Sequence, residues 1–120
     1  FVKLGGRRIS TPAIERLVED TIPSAECFTY ADDGRMECLI IVVFNSTPLP
    51  FDTQPEAFRF LVEHAKGNET LLPLLTKVPF KLFIVVGDVP RLANGKTALL
   101  EVQNIVKDAK NLEDSIHIRL

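Results

Sequence analysis

At 120 residues and 46% hydrophobic content, the chain is long enough to bury one core and short for two, so one domain is the expectation. A formal charge of −2 gives no overall field that would draw in nucleic acid or an anionic membrane, so any phosphate chemistry has to rest on locally placed cations. No run approaches the roughly 18 consecutive apolar residues of a membrane-spanning helix, and no basic-then-apolar secretion signal stands at the start, which predicts a cytoplasmic protein without a transmembrane segment.

The chain begins without methionine in a strand-like pattern, which suggests a piece of a longer polypeptide. Phe1 to Leu4 alternate apolar and polar, Gly5 and Gly6 form a turn, and Arg7 to Ser10 continue extended, together a hairpin-like loop. Ser10 or Thr11 then caps a helix with Pro12 in its first turn, Ile14, Leu17, Val18 and Ile22 as its buried stripe, and Pro23 as its stop. Glu15, Glu19 and Asp20 fall on the other side and read as a solvated face.

Ala25 to Tyr30 and Met36 to Phe44 read as two strands joined by a polar turn carrying Gly34. The second is apolar at every position from Cys38 to Phe44, so it should be central and covered on both faces. Cys27 and Cys38 lack the spacing of a zinc or redox motif and read as reduced thiols, with a cross-strand disulfide as the alternative.

Prolines 48 and 50 mark a surface loop over 45–54, after which Thr53, Pro55 and Glu56 open a helix with Phe58, Leu61, Val62 and Ala65 on one side and Gly67 at its end. His64 near that end has no partner at ligand spacing and is not read as a metal ligand. Asn68 to Thr76 can form a short helix, Phe80 to Val86 a buried strand, and Ala98 to Val106 a final helix. The alternation Ser115 to Leu120 leaves two readings open, an added edge strand or an irregular tail. The order predicts an α+β domain, a small central sheet of about three main strands covered by helices. Its expected core comprises Ile14, Leu17, Cys27, Leu39, Ile41, Val43, Phe58, Leu61, Phe83, Val85 and Leu99.

Between the Phe80–Val86 run and the last helix stands Val89-Pro90-Arg91-Leu92-Ala93-Asn94-Gly95-Lys96-Thr97, a lysine on a Pro/Gly-punctuated loop. It is not a phosphate loop, because the glycine that motif needs five residues before Gly-Lys is Pro90 here. Together with the opening Val2-Lys3-Leu4-Gly5-Gly6-Arg7-Arg8-Ile9 and the following Ala13-Ile14-Glu15, it resembles the small C-terminal domain of the AMP-forming acyl-CoA synthetase, adenylation-domain and luciferase superfamily. That family opens the domain with V-K-x-x-G-x-R-I and x-x-E-I-E and closes it with P-x-x-x-x-G-K. The likeness spans roughly residues 1 to 106 and is nearest to the fatty acyl-CoA or acyl-carrier-protein ligase branch. It departs where the family has a further glutamate at Ala13, basic residues after the lysine in place of Thr97-Ala98-Leu99-Leu100, and a longer loop between the two strands.

The resemblance implies that residues 1–107 are the C-terminal lid domain of an ATP-dependent ligase, with 108–120 as a tail outside the family pattern. An N-terminal adenylation domain of the same polypeptide would bind ATP, Mg2+ and a small carboxylic acid, and an acyl-adenylate would pass its acyl group to CoA or to a phosphopantetheine arm on an acyl carrier protein. Lys96 matches the family's catalytic lysine. Gly5, Gly6, Arg7 and Arg8 match the segment beside the thiol tunnel, Arg8 standing at the motif's usual arginine. Two other classes compete. One is a non-catalytic regulatory or scaffolding relative; the other is a small ligand- or RNA-binding domain, disfavoured by the missing aromatic RNA-binding strand motif and the acidic balance.

Overall fold

The computed structural model of the chain describes residues 2–4, 7–31, 38–69, 71–77, 79–109 and 116–119. Strands β1 (Val2–Leu4) and β2 (Arg7–Ile9) pair antiparallel as the expected hairpin. Helix α1 (Thr11–Thr21) follows, with Ser10 in extended N-cap geometry but making no side-chain cap bond. The main sheet has four strands in the order β3 (Glu26–Ala31), β4 (Leu39–Asn45), β5 (Phe80–Val86) and β6 (His117–Arg119). β3 runs antiparallel to β4, whereas β4, β5 and β6 are mutually parallel. Helices α2 (Gln54–Ala65) and α3 (Leu71–Lys77) connect β4 to β5, and α4 (Leu99–Ala109) follows β5.

All seven residues of β4 are buried, the expected result for a central strand. Its alternation feeds two cores. Leu39, Ile41 and Val43 point to one face, where Ile14 and Val18 of α1, Ala57, Leu61 and Ala65 of α2, and Leu71 and Leu75 of α3 close over them with Leu82, Ile84 and Ile116. Ile40, Val42 and Phe44 point to the other, where Val102 and Val106 of α4 cover them together with Phe83, Val85 and Ile118. Burying all of a medium-sized aliphatic side chain contributes about 1.5–3 kcal/mol, so these two layers carry the fold.

The expected core needs two corrections. Phe58 is 39% exposed because the buried stripe of α2 is Ala57, Leu61 and Ala65, four residues apart; Phe58 lies a step round the helix and stacks on Phe80 at 5.7 Å between ring centroids. Leu99 is 57% exposed because Ala98, Val102 and Val106 set the phase of the last helix. Leu17 is partly buried against the α1 face, and the remaining expected members are buried. The terminal alternation adopts the added-strand reading: Ile84, Val85 and Val86 pair with His117, Ile118 and Arg119, giving a fourth main strand. Cys27 and Cys38 are free thiols, so the disulfide alternative is not formed. No helix among the described residues is long and apolar enough to cross a membrane.

Helix α1 corrects in part the expectation of a solvated acidic face: Glu19 and Asp20 are exposed as expected, Glu15 is half-buried, and both glutamates also serve the sheet. β3 is an edge strand, and the outward N–H groups of Cys27 and Thr29 donate to Glu19 Oε2 at 3.2 Å and Glu15 Oε2 at 3.0 Å. Four residues of helix rise about 6 Å and two of strand about 6.6 Å, so carboxylates at i and i+4 reach alternate strand amides. The helix thereby closes an edge that would otherwise invite pairing with another chain. Gln54, expected in a loop, does the same for β5: its side-chain amide donates to the Leu82 carbonyl at 2.7 Å and accepts from the Leu82 N–H at 2.9 Å.

Candidate functional site: the lysine turn between β5 and α4

The loop carrying Lys96 is ordered by its own backbone. Arg91 and Thr97 form an antiparallel bridge, the Ala98 N–H donates to the Pro90 carbonyl at 2.9 Å, and the Leu92 N–H donates to the Lys96 carbonyl at 2.7 Å. At the tip the Gly95 N–H donates to the Leu92 carbonyl at 2.9 Å. Gly95 sits at φ +84, the left-handed conformation that follows a type I turn in short hairpins. Asn94 Oδ1 accepts from the Lys96 N–H at 3.0 Å, satisfying the next amide.

With its backbone occupied in this way, Lys96 extends an exposed side chain whose ammonium has no hydrogen-bond or ion-pair partner among the described residues. Leu92, Leu99 and Leu100, also exposed, lie beside it in the chain. The base of the turn is fastened to the far edge of the sheet: both carboxylate oxygens of Glu26, at the start of β3, accept from Arg91 Nη2 at 2.9 and 3.1 Å. The pair is solvent-exposed, so it steers the turn more than it stabilises the fold. Nothing in the sequence signals this contact, which joins residues 65 positions apart.

Of the other site residues read from the sequence, Arg7 and Arg8 belong to β2, paired with Leu4 and Lys3 respectively, and their side-chain placement lies outside what the structure describes. Gly5 and Gly6 lie outside the described residues. The hairpin packs against β3, and the lysine turn reaches the same strand through Glu26; no described contact brings Lys96 and the arginines together.

The buried Cys27 thiol is pushed well above its ordinary pKa, chiefly by burial and further by the Glu15 and Glu19 carboxylates, so it stays protonated and is no nucleophile. His64 accepts or donates only within its own helix, Nδ1 lying 2.8 Å from the Phe60 carbonyl. Among the described residues no group of three His, Cys, Asp or Glu side chains could hold a metal. The chain matches no protein-family model and no curated protein.

Proposed function

We propose that this chain is the mobile C-terminal domain of an AMP-forming acid–thiol ligase, one that activates a carboxylic acid with ATP and transfers it to CoA or a phosphopantetheine carrier. The observation that carries this reading is the presentation of Lys96. A self-ordered turn carries an exposed lysine whose ammonium has no partner among the described residues, as a cation must be placed if it works in a cleft formed with another domain. The order of elements around it, a hairpin, a helix, two antiparallel strands, two helices, a buried strand, the lysine turn and a helix, supports the same likeness.

Lys96 fits anionic oxygen. Bound with Mg2+ in the adenylation domain, ATP supplies the electrophilic α-phosphate. Two negative reactants must approach there, and the Lys96 ammonium would sit between the substrate carboxylate and the phosphate oxygens, offsetting their repulsion and the charge that builds up in transfer. The Arg91–Glu26 fork would keep the turn aimed while the domain moves as a body. In the thiol-transfer step the hairpin would face the cleft instead. Gly5 and Gly6 would let a pantetheine arm pass close to backbone, and Arg8, with Arg7 beside it, would hold the carrier's phosphates by forked hydrogen bonds.

The test uses the full-length polypeptide. Lys96→Ala should lower carboxylate-dependent pyrophosphate exchange by about 10²–10³, the loss typical of one preorganised donor to a developing anion, while sparing thioester formation from supplied adenylate. Arg8→Ala should show the reverse split. Equal losses in both half-reactions would refute the assigned roles, and exchange activity in residues 1–120 alone would refute the two-domain reading. The exposed Leu99 and Leu100, in place of basic residues, favour one rival, a regulatory or scaffolding relative that docks through this face. Turnover unchanged by Lys96→Ala would select it.

A further inference from the structure

A histidine fastens the loop between β4 and α2 to the last strand, and this fastening is independent of the ligase reading. Prolines 48 and 50 carry no N–H, so Leu49 offers the one amide donor of residues 48–50. It donates to His117 Nε2 in β6 at 3.1 Å. The neighbouring apolar side chains point the same way: Leu49 packs against the core beneath α2, and Phe51 lies inside it.

The bond fixes the state of the ring. A backbone N–H only donates, so Nε2 has to present a lone pair, and the imidazole is neutral with its proton on Nδ1. Turning the ring over would put carbon where Nε2 stands and leave the Leu49 amide without this acceptor. On the other side, Nδ1 lies 3.7 Å from Asp52 Oδ1, within ion-pair reach; the Asp52 side chain is 89% exposed and that of His117 11%. The elements packed nearby bring no competing charge to the ring. β5 places Ile84 opposite His117, while its Lys81, three residues earlier, faces the other side of the sheet. Glu56 at the head of α2 accepts from Thr53 Oγ1 at 3.1 Å. A second proton on the imidazole would therefore set N–H against N–H at Leu49 and leave Asp52 as the partner of the ring.

We propose that His117 is a pH-sensitive latch. Its neutral Nδ1–H form holds the β4–α2 loop on the sheet, and protonation at Nε2 releases Leu49. The closed loop accepts only the neutral ring, so closure is complete above the imidazole range and is lost as pH falls through it. Burial of Phe51 outweighs one hydrogen bond, so the far end of the loop stays anchored and residues 46–50 are the part that moves.

The test is an NMR titration of the isotope-labelled chain from pH 8 to pH 5. At pH 8 the His117 ring should carry its proton on Nδ1, with a scalar coupling across the bond from Nε2 to the Leu49 amide nitrogen. On acidification that coupling should vanish, and the amides of residues 46–50 should shift in one step that coincides with protonation of His117. His64→Gln, at an exposed position on α2, should leave the step unchanged. His117→Gln removes the titrating ring and should abolish it; should that variant not fold, the tautomer and the coupling in the parent decide the matter alone. A proton on Nε2 at pH 8, loop amides unmoved while His117 protonates, a step lost in His64→Gln, or a step kept in His117→Gln would each overturn the proposal.

Discussion

The connections that follow the two central parallel strands are ordered in opposite ways. After β4, residues 46–53 are held from outside: the Leu49 N–H donates to His117 Nε2 at 3.1 Å, 68 positions along the chain, and Phe51 is buried with its ring 5.0 Å from that of Phe60. After β5, residues 87–98 take most of their hydrogen bonds from one another; Val89 and Ala98 anchor the two ends in the core, and among the described residues the Arg91–Glu26 pair is the one side-chain hydrogen bond that ties the turn to another element. A loop ordered by distant groups spends its side chains on the core. A loop ordered by its own backbone keeps them for something else, and Lys96 is the clearest beneficiary.

The contrast is sharpest in stability. Phe51→Ala removes a buried aromatic from the externally held loop and should destabilise the domain by about 3–5 kcal/mol in denaturant titration. Lys96→Ala, in the self-ordered loop, should stay within about 0.5 kcal/mol of the parent. A comparable loss at Lys96 would break the distinction, because it would mean the ammonium supports the fold. Gly95→Ala sits between them. An added Cβ meets nothing within 4 Å, so the cost is conformational alone, about 1–2 kcal/mol for φ +84. A larger loss would show that the tip is packed rather than merely bent.

The same division explains what could be read in the sequence. Local patterns were legible: the apolar run 80–86 became β5 at those bounds, and Thr53 became the N-cap that accepts from the Glu56 N–H. The free presentation of Lys96 follows from such local chemistry. Groups that act across the chain were not legible. Glu15 and Glu19 looked solvated because helical periodicity places them away from Ile14 and Val18 but says nothing of a strand edge beside the helix. β6 is a three-residue strand whose partner lies 33 positions back, and the bond from Leu49 to His117 joins two segments that share no motif. Phe58 and Leu99 failed on helix phase, where one position decides between core and solvent.

A pH-dependent effect tests the group held across the chain at Glu15. Burial raises its pKa above the ordinary value of 4.5 and outweighs the lowering by the Thr29 N–H, with Glu19 adding a further push upward. A carboxyl whose folded pKa is raised favours the folded state while protonated. Its contribution is therefore full at low pH and is lost as pH climbs from the unfolded value through the raised one. Glu15→Gln keeps an oxygen for the Thr29 N–H and removes the charge, so it should flatten this part of the stability profile and leave the neutral-pH protein slightly more stable. Glu15→Ala, which strands that N–H at a partly buried edge, should lose about 1 kcal/mol at every pH. If the Gln and Ala substitutions behaved alike in chemical denaturation across pH 3 to 8, the edge would owe nothing to the carboxylate's acceptor oxygen, and the kinship between β3 and the loop after β4 would fall.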